Sequence, residues 1–593
     1  MPELRWEGKY DSRGQKVAPL RAVLPFQTVE TVNESAQERQ KTLDLFGSGA
    51  ASQWRNRLIW GDKKYVLPAL LGEFAGKVDL VYIDPPFATG ADFSFPITVG
   101  DDEFTKEPSL IEVKAYRDTW GKGLDSYLSW FFETVSLLRE LLSDRGSLIV
   151  HLDYRMGPYA KAVLDEVFGM SRMVDELIWH YGGAGVPKDR PARRHDNLYW
   201  YAKGESWTFN ADDVRTEYAD TTKERFSHFI GNVRGDRDYG AQELNPKGKW
   251  PDNVLRIPIE APSANERTGY PTQKPRALLE WVIKACSDED HLVLDCFAGS
   301  GTTAVVAEQL RRRWVAADLS RFAIHTARKR LLSMEGLRPF VVQNLGKYER
   351  QAWQRAEFSE DAAQRELRYR AFVLKLYGAT PVQGRVWLHG LRGARMVHVG
   401  AVDAPVSPAD VTAIVAEFKK AVGKGAGSPK TNGIDILGWD FAFEINEVSK
   451  QQAAKAGVNL RMVKIPSEVM DRRAVDQGDI RFFELAALEL DLAVEKLRAT
   501  VALTDFVIPG DVPDEVRRAV KNWADWVDYW AVDWNYRDDT FHNEWQSYRT
   551  RKAPKLERKT THTYEAPGTY TVVVKVIDIL GNDTTKALTV VVK

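Results

Sequence analysis

One short apolar run and the tetrapeptide that follows it constrain the fold of this chain most. Residues 78–83 have the composition of a buried strand in a parallel sheet. The run ends in Asp84, Pro85, Pro86 and Phe87. Proline has no backbone N–H to donate, so two consecutive prolines end the strand at the carboxyl edge of the sheet. Because open α/β sheets bind ligands at that edge, the tetrapeptide is predicted to lie in a ligand site.

The residue types of this tetrapeptide favour a particular class of ligand. Asp84 and the Pro85 carbonyl can accept the two hydrogens of an exocyclic amine, and Phe87 can stack on a flat heterocycle. The alternative is structural: a strand that simply ends at a Pro-Pro turn. The tetrapeptide alone does not decide between the two interpretations.

Alternating strand and helix patterns surround the tetrapeptide. The sequence predicts strands at residues 147–153, 175–179 and 198–202, and helices at residues 64–74, 125–143 and 156–168. This β-α-β-α-β order predicts a doubly wound α/β fold with a parallel sheet.

A second site pattern lies about two hundred residues downstream. A predicted strand at residues 291–295 leads into a glycine-rich turn at residues 296–301 and a helix that begins at Thr302. Such a turn lets the backbone approach a ligand, and the helix N-terminus favours an anionic group. The next strand ends in Asp318, which is placed for ribose hydroxyls. The turn lacks the full spacing of an NAD-binding fingerprint and is not an NTPase phosphate loop. FAD and S-adenosylmethionine are the two candidate ligands that this pattern leaves.

Three motifs in this order resemble the β-class of amino-methylating DNA methyltransferases. They are residues 84–87, residues 268–275 (TGYPTQKP) and residues 295–303 (DCFAGSGTT). Within that class the chain is most similar to the modification subunit of type III restriction–modification systems, over roughly residues 55–335. Two departures stand out: Phe87 replaces a frequent Tyr, and Ala88 replaces a frequent Asn.

The resemblance implies a permuted, Rossmann-like sheet of seven strands, with S-adenosylmethionine as the methyl donor. It implies catalytic roles for Asp84, Pro85, Pro86 and Phe87. The cofactor-binding residues that it implies are Thr272, Gln273, Lys274, Pro275, Asp295, Phe297, Ala298, Gly299, Ser300, Gly301, Thr302, Thr303 and Asp318. A metal site is not expected. The partner is double-stranded DNA, and a homodimer is expected.

Two regions are candidates for contact with DNA. A basic, proline-broken loop carries Lys188, Arg190, Arg193 and Arg194. Residues 205–262 mix basic and aromatic residues, a composition that suits a nucleic-acid surface and predicts a target recognition segment. The alternative for residues 205–262 is an insertion with a small core of its own. The formal net charge is −1, so any nucleic-acid surface must be local.

We expect six segments along the chain. These are an N-terminal extension (1–57), the catalytic half of the methyltransferase core (58–204), the target recognition segment (205–262), the cofactor half (263–340), a C-terminal α/β accessory domain (341–505) and a helix with a β-sandwich-like module (506–593). Within the accessory domain the sequence predicts strands at residues 385–388, 394–399 and 434–443. The chain has no NTPase loop and no convincing nuclease carboxylate cluster, so a separate helicase–nuclease subunit is expected to supply restriction.

The predicted product is N6-methyladenine, because an aspartate at the first motif position is the usual form in the adenine branch. An N4-cytosine methyltransferase or a non-catalytic DNA-binding scaffold are the alternatives. A C5-cytosine enzyme would need a nucleophilic cysteine, and Cys286 and Cys296 are the only two cysteines. Two cysteines and the lack of an apolar stretch of membrane-spanning length fit a protein of the reducing cytoplasm.

Overall fold

The computed structural model describes most of the chain. The described residues are 3–34, 54–86, 95–99, 102–106, 123–183, 187–227, 231–234, 237–241, 244–259, 268, 270, 272–358, 361–421, 432–442, 453–478, 480–508, 512, 514–537, 540–550 and 553–593. They divide into two compact units. The first comprises residues 1–23, 56–92 and 115–337, and the second comprises residues 24–55, 93–114 and 338–593. None of the helices in the described ranges is long and apolar enough to cross a membrane.

The first unit contains ten of the described strands. They are β1 (Asn56–Trp60), β2 (Val78–Ile83), β3 (Leu142–Leu152), β4 (Met173–His180), β5 (His195–Ala202), β6 (Gly231–Arg234), β7 (Arg237–Ala241), β8 (Val254–Arg256), β9 (Leu292–Asp295) and β10 (Arg313–Asp318). Eight of them form one sheet in the order β8-β4-β5-β3-β2-β9-β10-β1, and β6 and β7 form a separate hairpin.

Helices connect these strands. They are α1 (Lys63–Phe74), α2 (Leu124–Leu141), α3 (Gly157–Phe168), α4 (Asp220–Ser227), α5 (Arg276–Cys286), α6 (Thr302–Gln309) and α7 (Arg321–Leu332). Local capping fixes where two of them begin: the side chains of Asp62 and Ser320 accept hydrogen bonds from backbone N–H groups in the first turns of α1 and α7.

The centre of the sheet confirms the predicted Rossmann-like arrangement. Strand β2 pairs in parallel with β3 on one side and with β9 on the other. Leu80 lies opposite Val293, and these two residues are fully buried. The strand that ends at Asp84 and the strand that leads into the glycine-rich turn are therefore neighbours, and their carboxyl ends meet at one edge.

The outer strands differ from the all-parallel expectation. Strand β5 is antiparallel to both β3 and β4. A parallel connection normally needs a crossover, most often a helix. The described residues between β4 and β5 contain no helix, and β4 and β5 therefore form a long hairpin. The sheet is mixed at this edge and parallel at its centre.

The second unit contains the predicted α/β region. Its sheet runs, in strand order, through Thr380–Pro381, Gly390–Arg392, Arg395–Val399, Gly433–Gly438, Asn459–Lys464 and Phe483–Glu484, of which the three longest are parallel to one another. Helices of this unit are Gly346–Glu357, Ala362–Leu376, Pro408–Ala421, Arg472–Gln477 and Asp514–Ala519. The predicted strand at residues 385–388 is wrong. The backbone N–H groups of residues 386–388 donate to the Glu417 carboxylate, at 2.7–2.9 Å, rather than to a neighbouring strand.

The predicted β-sandwich is formed by two antiparallel sheets within residues 487–592. One antiparallel sheet contains Ala487–Glu495, Arg498–Val507 and Lys559–Thr563, and the other contains Val527–Asp533, Trp545–Tyr548, Gly568–Asp578 and Asp583–Val592. Phe506, Trp530 and Val574 belong to one core that both sheets cover. The first sheet starts at Ala487, ahead of the expected boundary at residue 506, because the Ala487–Val507 hairpin buries its apolar side in this core.

Part of the N-terminal extension is a strand. Gln27–Val32 pairs antiparallel with Phe340–Asn344 and in parallel with Phe541–Asn543, all within the second unit. Glu30 on this strand is fully buried and forms an ion pair of 2.7 Å with Lys575. Burial of a carboxylate is tolerated when a cation of this kind pairs with it.

Candidate active site

Asp84 lies directly after β2, at the carboxyl edge of the sheet. Its Oδ2 accepts a hydrogen bond from Lys274 Nζ, and its side chain is only 17% exposed. The other oxygen, Oδ1, is buried and has no hydrogen-bond partner among the described residues. A buried carboxylate oxygen without a partner is costly, so this atom is an acceptor that suits a donor on a ligand. Pro85 is buried and Pro86 half-buried, whereas Phe87 lies outside the described residues.

The glycine-rich turn follows β9 beside this carboxylate. Asp295, the last residue of β9, holds this turn by two hydrogen bonds. Its Oδ1 accepts the Phe297 backbone N–H at 2.9 Å, and its Oδ2 accepts the Thr303 hydroxyl at 2.6 Å. Burial raises the pKa of Asp295 to about 7, although both hydrogen bonds oppose the shift. Asp295 therefore shapes the turn through its own hydrogen bonds.

Asp318 holds the same turn from the neighbouring strand β10. Its Oδ2 accepts the Gly299 N–H and its Oδ1 accepts the Ser320 N–H, each at 2.8 Å. Burial raises the pKa of Asp318 to about 6. Each oxygen keeps a second lone pair, so contact with a ribose hydroxyl remains a prediction.

Two glycines give the turn its close-approach geometry. Gly299 and Gly301 have φ angles of 50° and 77°, in the left-handed region. A Cβ added at Gly301 would lie 2.5 Å from the Ala327 Cβ. Helix α6 begins at the next residue, and Thr302, Thr303, Ala298 and Ser300 are all buried around its N-terminus.

The side chain of Gln273 stabilises the segment that carries Lys274. Gln273 Oε1 accepts the backbone N–H and the hydroxyl of Thr268, at 3.0 and 2.8 Å. Thr272 has a φ of 61°, an unusual backbone conformation for a residue other than glycine. The Lys274 carbonyl accepts the Thr302 hydroxyl at 3.4 Å, and Pro275 precedes α5. The backbone of Lys274 thus contacts the first residue of α6, directly after the glycine-rich turn, while its ammonium contacts Asp84. Its role in cofactor binding stays a prediction.

Three side chains of the site were missed by sequence reasoning. Arg330 on α7 donates to the Ser300 carbonyl at 3.0 Å and to the Thr302 hydroxyl at 2.8 Å. Tyr270 and Phe322 stack in parallel with their ring centroids 6.0 Å apart, and a Cβ added at Gly299 would lie 3.2 Å from the Tyr270 ring. Tyr270 does lie inside the motif at residues 268–275, so its position was a usable signal. Arg330 carried no such signal.

A buried polar chain runs across the strands next to Asp84. The Tyr82 hydroxyl donates to His151 Nδ1 at 2.9 Å, and His151 Nε2 donates to Asp196 Oδ2 at 3.3 Å. The Tyr181 hydroxyl donates to the other oxygen of Asp196, at 3.3 Å. Burial acts to raise the pKa of Asp196. The hydrogen bond from His151 and the nearby charge of Lys274 outweigh burial, and the pKa lies below its ordinary value.

Both cysteines are packing residues. Cys286 and Cys296 are buried, and burial raises the pKa of both thiols. A nucleophilic cysteine needs a lowered pKa and access to its substrate. This environment agrees with the exclusion of a covalent cysteine mechanism.

The basic loop lies on the surface of the first unit. Lys188 and Arg190 are exposed, and Arg190 forms a surface ion pair of 2.9 Å with Asp189. The Arg193 guanidinium lies 3.6 Å from the centroid of the Tyr154 ring, and Tyr154 is the second residue after β3. The Arg194 carbonyl accepts the Tyr181 N–H at 2.8 Å, which anchors the loop to the end of β4.

The described part of residues 205–262 includes α4, the β6–β7 hairpin and the edge strand β8. Trp250 is 58% exposed, and the Arg215 guanidinium lies 5.2 Å from its ring centroid. An exposed tryptophan beside arginine is compatible with base stacking, and its role as part of a recognition segment remains a prediction.

Part of this chain is similar to known DNA methyltransferases. The N6/N4 DNA methylase family model matches residues 78–329. The chain is 28% identical over 329 residues to type II methyltransferase M.EcaI of Enterobacter cloacae. This alignment covers 46% of this chain and 69% of the relative. It is also 28% identical over 278 residues to DNA adenine methyltransferase YhdJ of Escherichia coli (strain K12), covering 46% of this chain and 82% of the relative. A third relative is the EcoP15I Mod subunit, part of a type III restriction-modification enzyme of Escherichia coli. It is 28% identical over 235 residues, which cover 37% of this chain and 34% of the subunit.

Proposed function

We propose that residues 78–329, which match the N6/N4 DNA methylase family model, methylate the N6 amine of adenine in double-stranded DNA. One observation carries the proposal: Asp84, with its buried and unpartnered Oδ1, directly follows the strand next to the one that leads into the glycine-rich turn. A reacting amine held by Asp84 and a ligand held by that turn would share one edge of the sheet.

We propose S-adenosylmethionine as the cofactor, and the residues of the turn fit it. The glycines permit close approach, and the N-terminus of α6 favours the carboxylate of an amino acid group. Arg330, Asp295 and Asp318 hold the turn in shape through buried hydrogen bonds. When bound, S-adenosylmethionine supplies a methyl group on a positively charged sulfur.

The chemistry that we assign to the chain is mainly positioning. A base within a duplex cannot reach the sheet edge, so the target base must be flipped out at a cost of about a few kcal/mol. Asp84 Oδ1 would accept one N–H of the amine and the Pro85 carbonyl the other, which aims the nitrogen lone pair away from the ring. Phe87 would stack on the base. Alignment of this kind can remove about 7–11 kcal/mol of a barrier, so the proposal needs no covalent intermediate.

Adenine is favoured over cytosine by two considerations. Aspartate at the first position of the 84–87 motif is the usual form in the adenine branch that the sequence resembles, and the relative YhdJ is named a DNA adenine methyltransferase. Nucleoside analysis of methylated DNA by mass spectrometry tests the assignment. N6-methyladenine is the expected product, whereas N4-methylcytosine would overturn the choice of base.

We propose that residues 205–262 choose the DNA sequence. Their exposed Trp250 and the basic loop that precedes them in the chain support this role. Exchange of residues 205–262 for the equivalent segment of a relative should change which sites are methylated, as read by methylation-sensitive long-read sequencing. Retention of the original sites would refute the assignment.

We also propose that restriction, where it occurs, needs a separate helicase–nuclease subunit that docks on residues 341–593. A type III modification subunit is among the relatives, which supports this proposal. Removal of residues 341–593 should abolish co-purification with such a subunit. Full association by the shortened chain would contradict the proposal.

A further inference from the structure

The contact between Lys274 and Asp84 joins two segments that are 190 residues apart in the chain. Lys274 Nζ bonds Oδ2 of Asp84, and only Oδ1 of that carboxylate is left without a partner in the described part of the chain. Both side chains are largely buried, with 11% and 17% of their surface exposed. A charged pair in such surroundings is geometrically well defined, because few rotamers satisfy it.

The backbone around Lys274 explains how the ammonium reaches this place. The Gln273 side chain closes the loop on Thr268, and Thr272 takes up a left-handed conformation just before Lys274. Conformational strain of this kind costs about 1–3 kcal/mol and persists only where the surrounding structure enforces it. Pro275 then fixes the chain at the start of α5. The loop therefore presents Lys274 in one direction.

The backbone of the same residue contacts the first residue of α6, directly after the glycine-rich turn. The Lys274 carbonyl accepts the Thr302 hydroxyl, and Arg330 holds that hydroxyl in turn at 2.8 Å. One residue thus connects the carboxylate proposed to hold the amine with the turn proposed to hold the methyl donor. The Lys274 ammonium also affects Asp196. Burial acts to raise the pKa of Asp196, whereas the His151 hydrogen bond and the Lys274 charge lower it.

We propose that Lys274 is a positioning residue for methyl transfer. It fixes Asp84 Oδ2 so that Oδ1 faces the target amine, beside the turn that is proposed to hold the methyl donor. The inference rests on the proposed methyltransferase function. It differs from the role in cofactor binding that the sequence resemblance implies for this lysine. A lysine that only held the cofactor would influence its affinity, whereas a positioning lysine influences the rate once both ligands are bound.

The test compares Lys274→Met, which keeps the length but removes the charge, with Lys274→Arg, which keeps the charge. Lys284→Met is the matched control, because Lys284 lies on α5 and pairs with Glu280 away from the site. Steady-state rates are measured at saturating DNA and S-adenosylmethionine. Affinity for the unreactive product S-adenosylhomocysteine is measured by calorimetry, and melting temperatures are recorded for every variant.

Lys274→Met should lower kcat by about 30-fold or more, since small misplacements of reacting groups cost up to about 100-fold. Its affinity for S-adenosylhomocysteine and its KM for DNA should stay close to those of the parent. Lys274→Arg should recover part of kcat. Should Lys274→Met melt well below the parent, Lys274→Gln, which keeps a donor without the charge, replaces it.

Two outcomes overturn the inference. One is a kcat of Lys274→Met equal to that of the parent. The other is weakened binding of S-adenosylhomocysteine with an unchanged rate at saturation, which would return Lys274 to the cofactor. Failure of the proposed function is a distinct result: the parent itself would methylate no DNA, and the positioning role would be lost with it.

Discussion

The Gly299 N–H donates a 2.8 Å hydrogen bond to Asp318 Oδ2, so the end of one strand holds the turn that follows its neighbour. Asp318→Ala removes this bond and the one from Ser320. Two buried donors would be left unpaired, and each costs about 1–3 kcal/mol. We expect cofactor affinity, measured by calorimetry, to fall by about tenfold or more. Asp144→Ala, at an exposed position of β3, should leave the affinity unchanged, and an unchanged titration of Asp318→Ala would refute this role.

Gly301→Ala tests the geometry of the turn itself. The added Cβ would lie 2.5 Å from the Ala327 Cβ, and the φ of 77° is unfavourable for alanine. Gly336→Ala is the matched control, since Gly336 has a φ of 68° and nothing within 4 Å of an added Cβ. Both variants carry backbone strain of about 1 kcal/mol, but only Gly301→Ala adds a clash. Calorimetry should therefore show weaker cofactor binding for Gly301→Ala alone, and equal affinities would contradict the close approach.

The basic loop is tested through salt dependence. Replacement of Arg190, Arg193 and Arg194 by Gln should weaken DNA binding and flatten the plot of log affinity against log salt. Each lost phosphate contact changes that slope by about 0.9. Fluorescence anisotropy with a labelled duplex at several salt concentrations provides the measurement. Identical slopes for variant and parent would move the DNA surface to another part of the protein.

Acid should destabilise the α/β region of the second unit through two buried histidines. Burial lowers the pKa of His389 to about 3 and that of His398 to about 4, and the positive charge of Arg370 acts in the same direction on both. The ordinary value is 6.5, so the unfolded chain binds more protons between about pH 4 and pH 6.5. Stability is therefore fully present above this window and falls as the pH is lowered through it.

Hydrogen exchange of peptides that cover Arg395–Val399 should become faster at pH 5 than at pH 7, after correction for the intrinsic rate. His398→Asn keeps a donor toward the Trp387 carbonyl, which His398 Nδ1 contacts at 2.8 Å, but does not titrate. This variant should show a smaller pH dependence. His291→Asn, in the first unit, should behave like the parent, and an equal pH dependence for His398→Asn would contradict the explanation.

Much of the first unit could be predicted because its central strands contain short, mostly apolar runs. Strand β2 and the turn after β9 carry local signals, in the prolines and the glycines, that mark where each strand stops. Strand direction carried no such signal. A buried strand has the same composition whether its neighbour is parallel or antiparallel, so the reversal of β5 was missed.

The rest of the site depends on contacts between distant parts of the chain. Lys274 meets Asp84 across 190 residues, and His151 meets Asp196 across 45. Neither pairing has a periodicity that a sequence window could reveal. The error at residues 385–388 has a similar origin, because the Glu417 carboxylate takes the N–H groups that a strand would have used.

The most direct test of the central claim is a methyl-transfer experiment with deuterated S-adenosylmethionine, unmodified DNA and either the parent protein or Asp84→Ala. The DNA is digested to nucleosides, and the labelled base is identified by mass spectrometry. We predict labelled N6-methyladenine with the parent, and none with Asp84→Ala, which should still bind S-adenosylhomocysteine with nearly parental affinity. Labelled 5-methylcytosine, or equal N6-methyladenine from both proteins, would contradict the account.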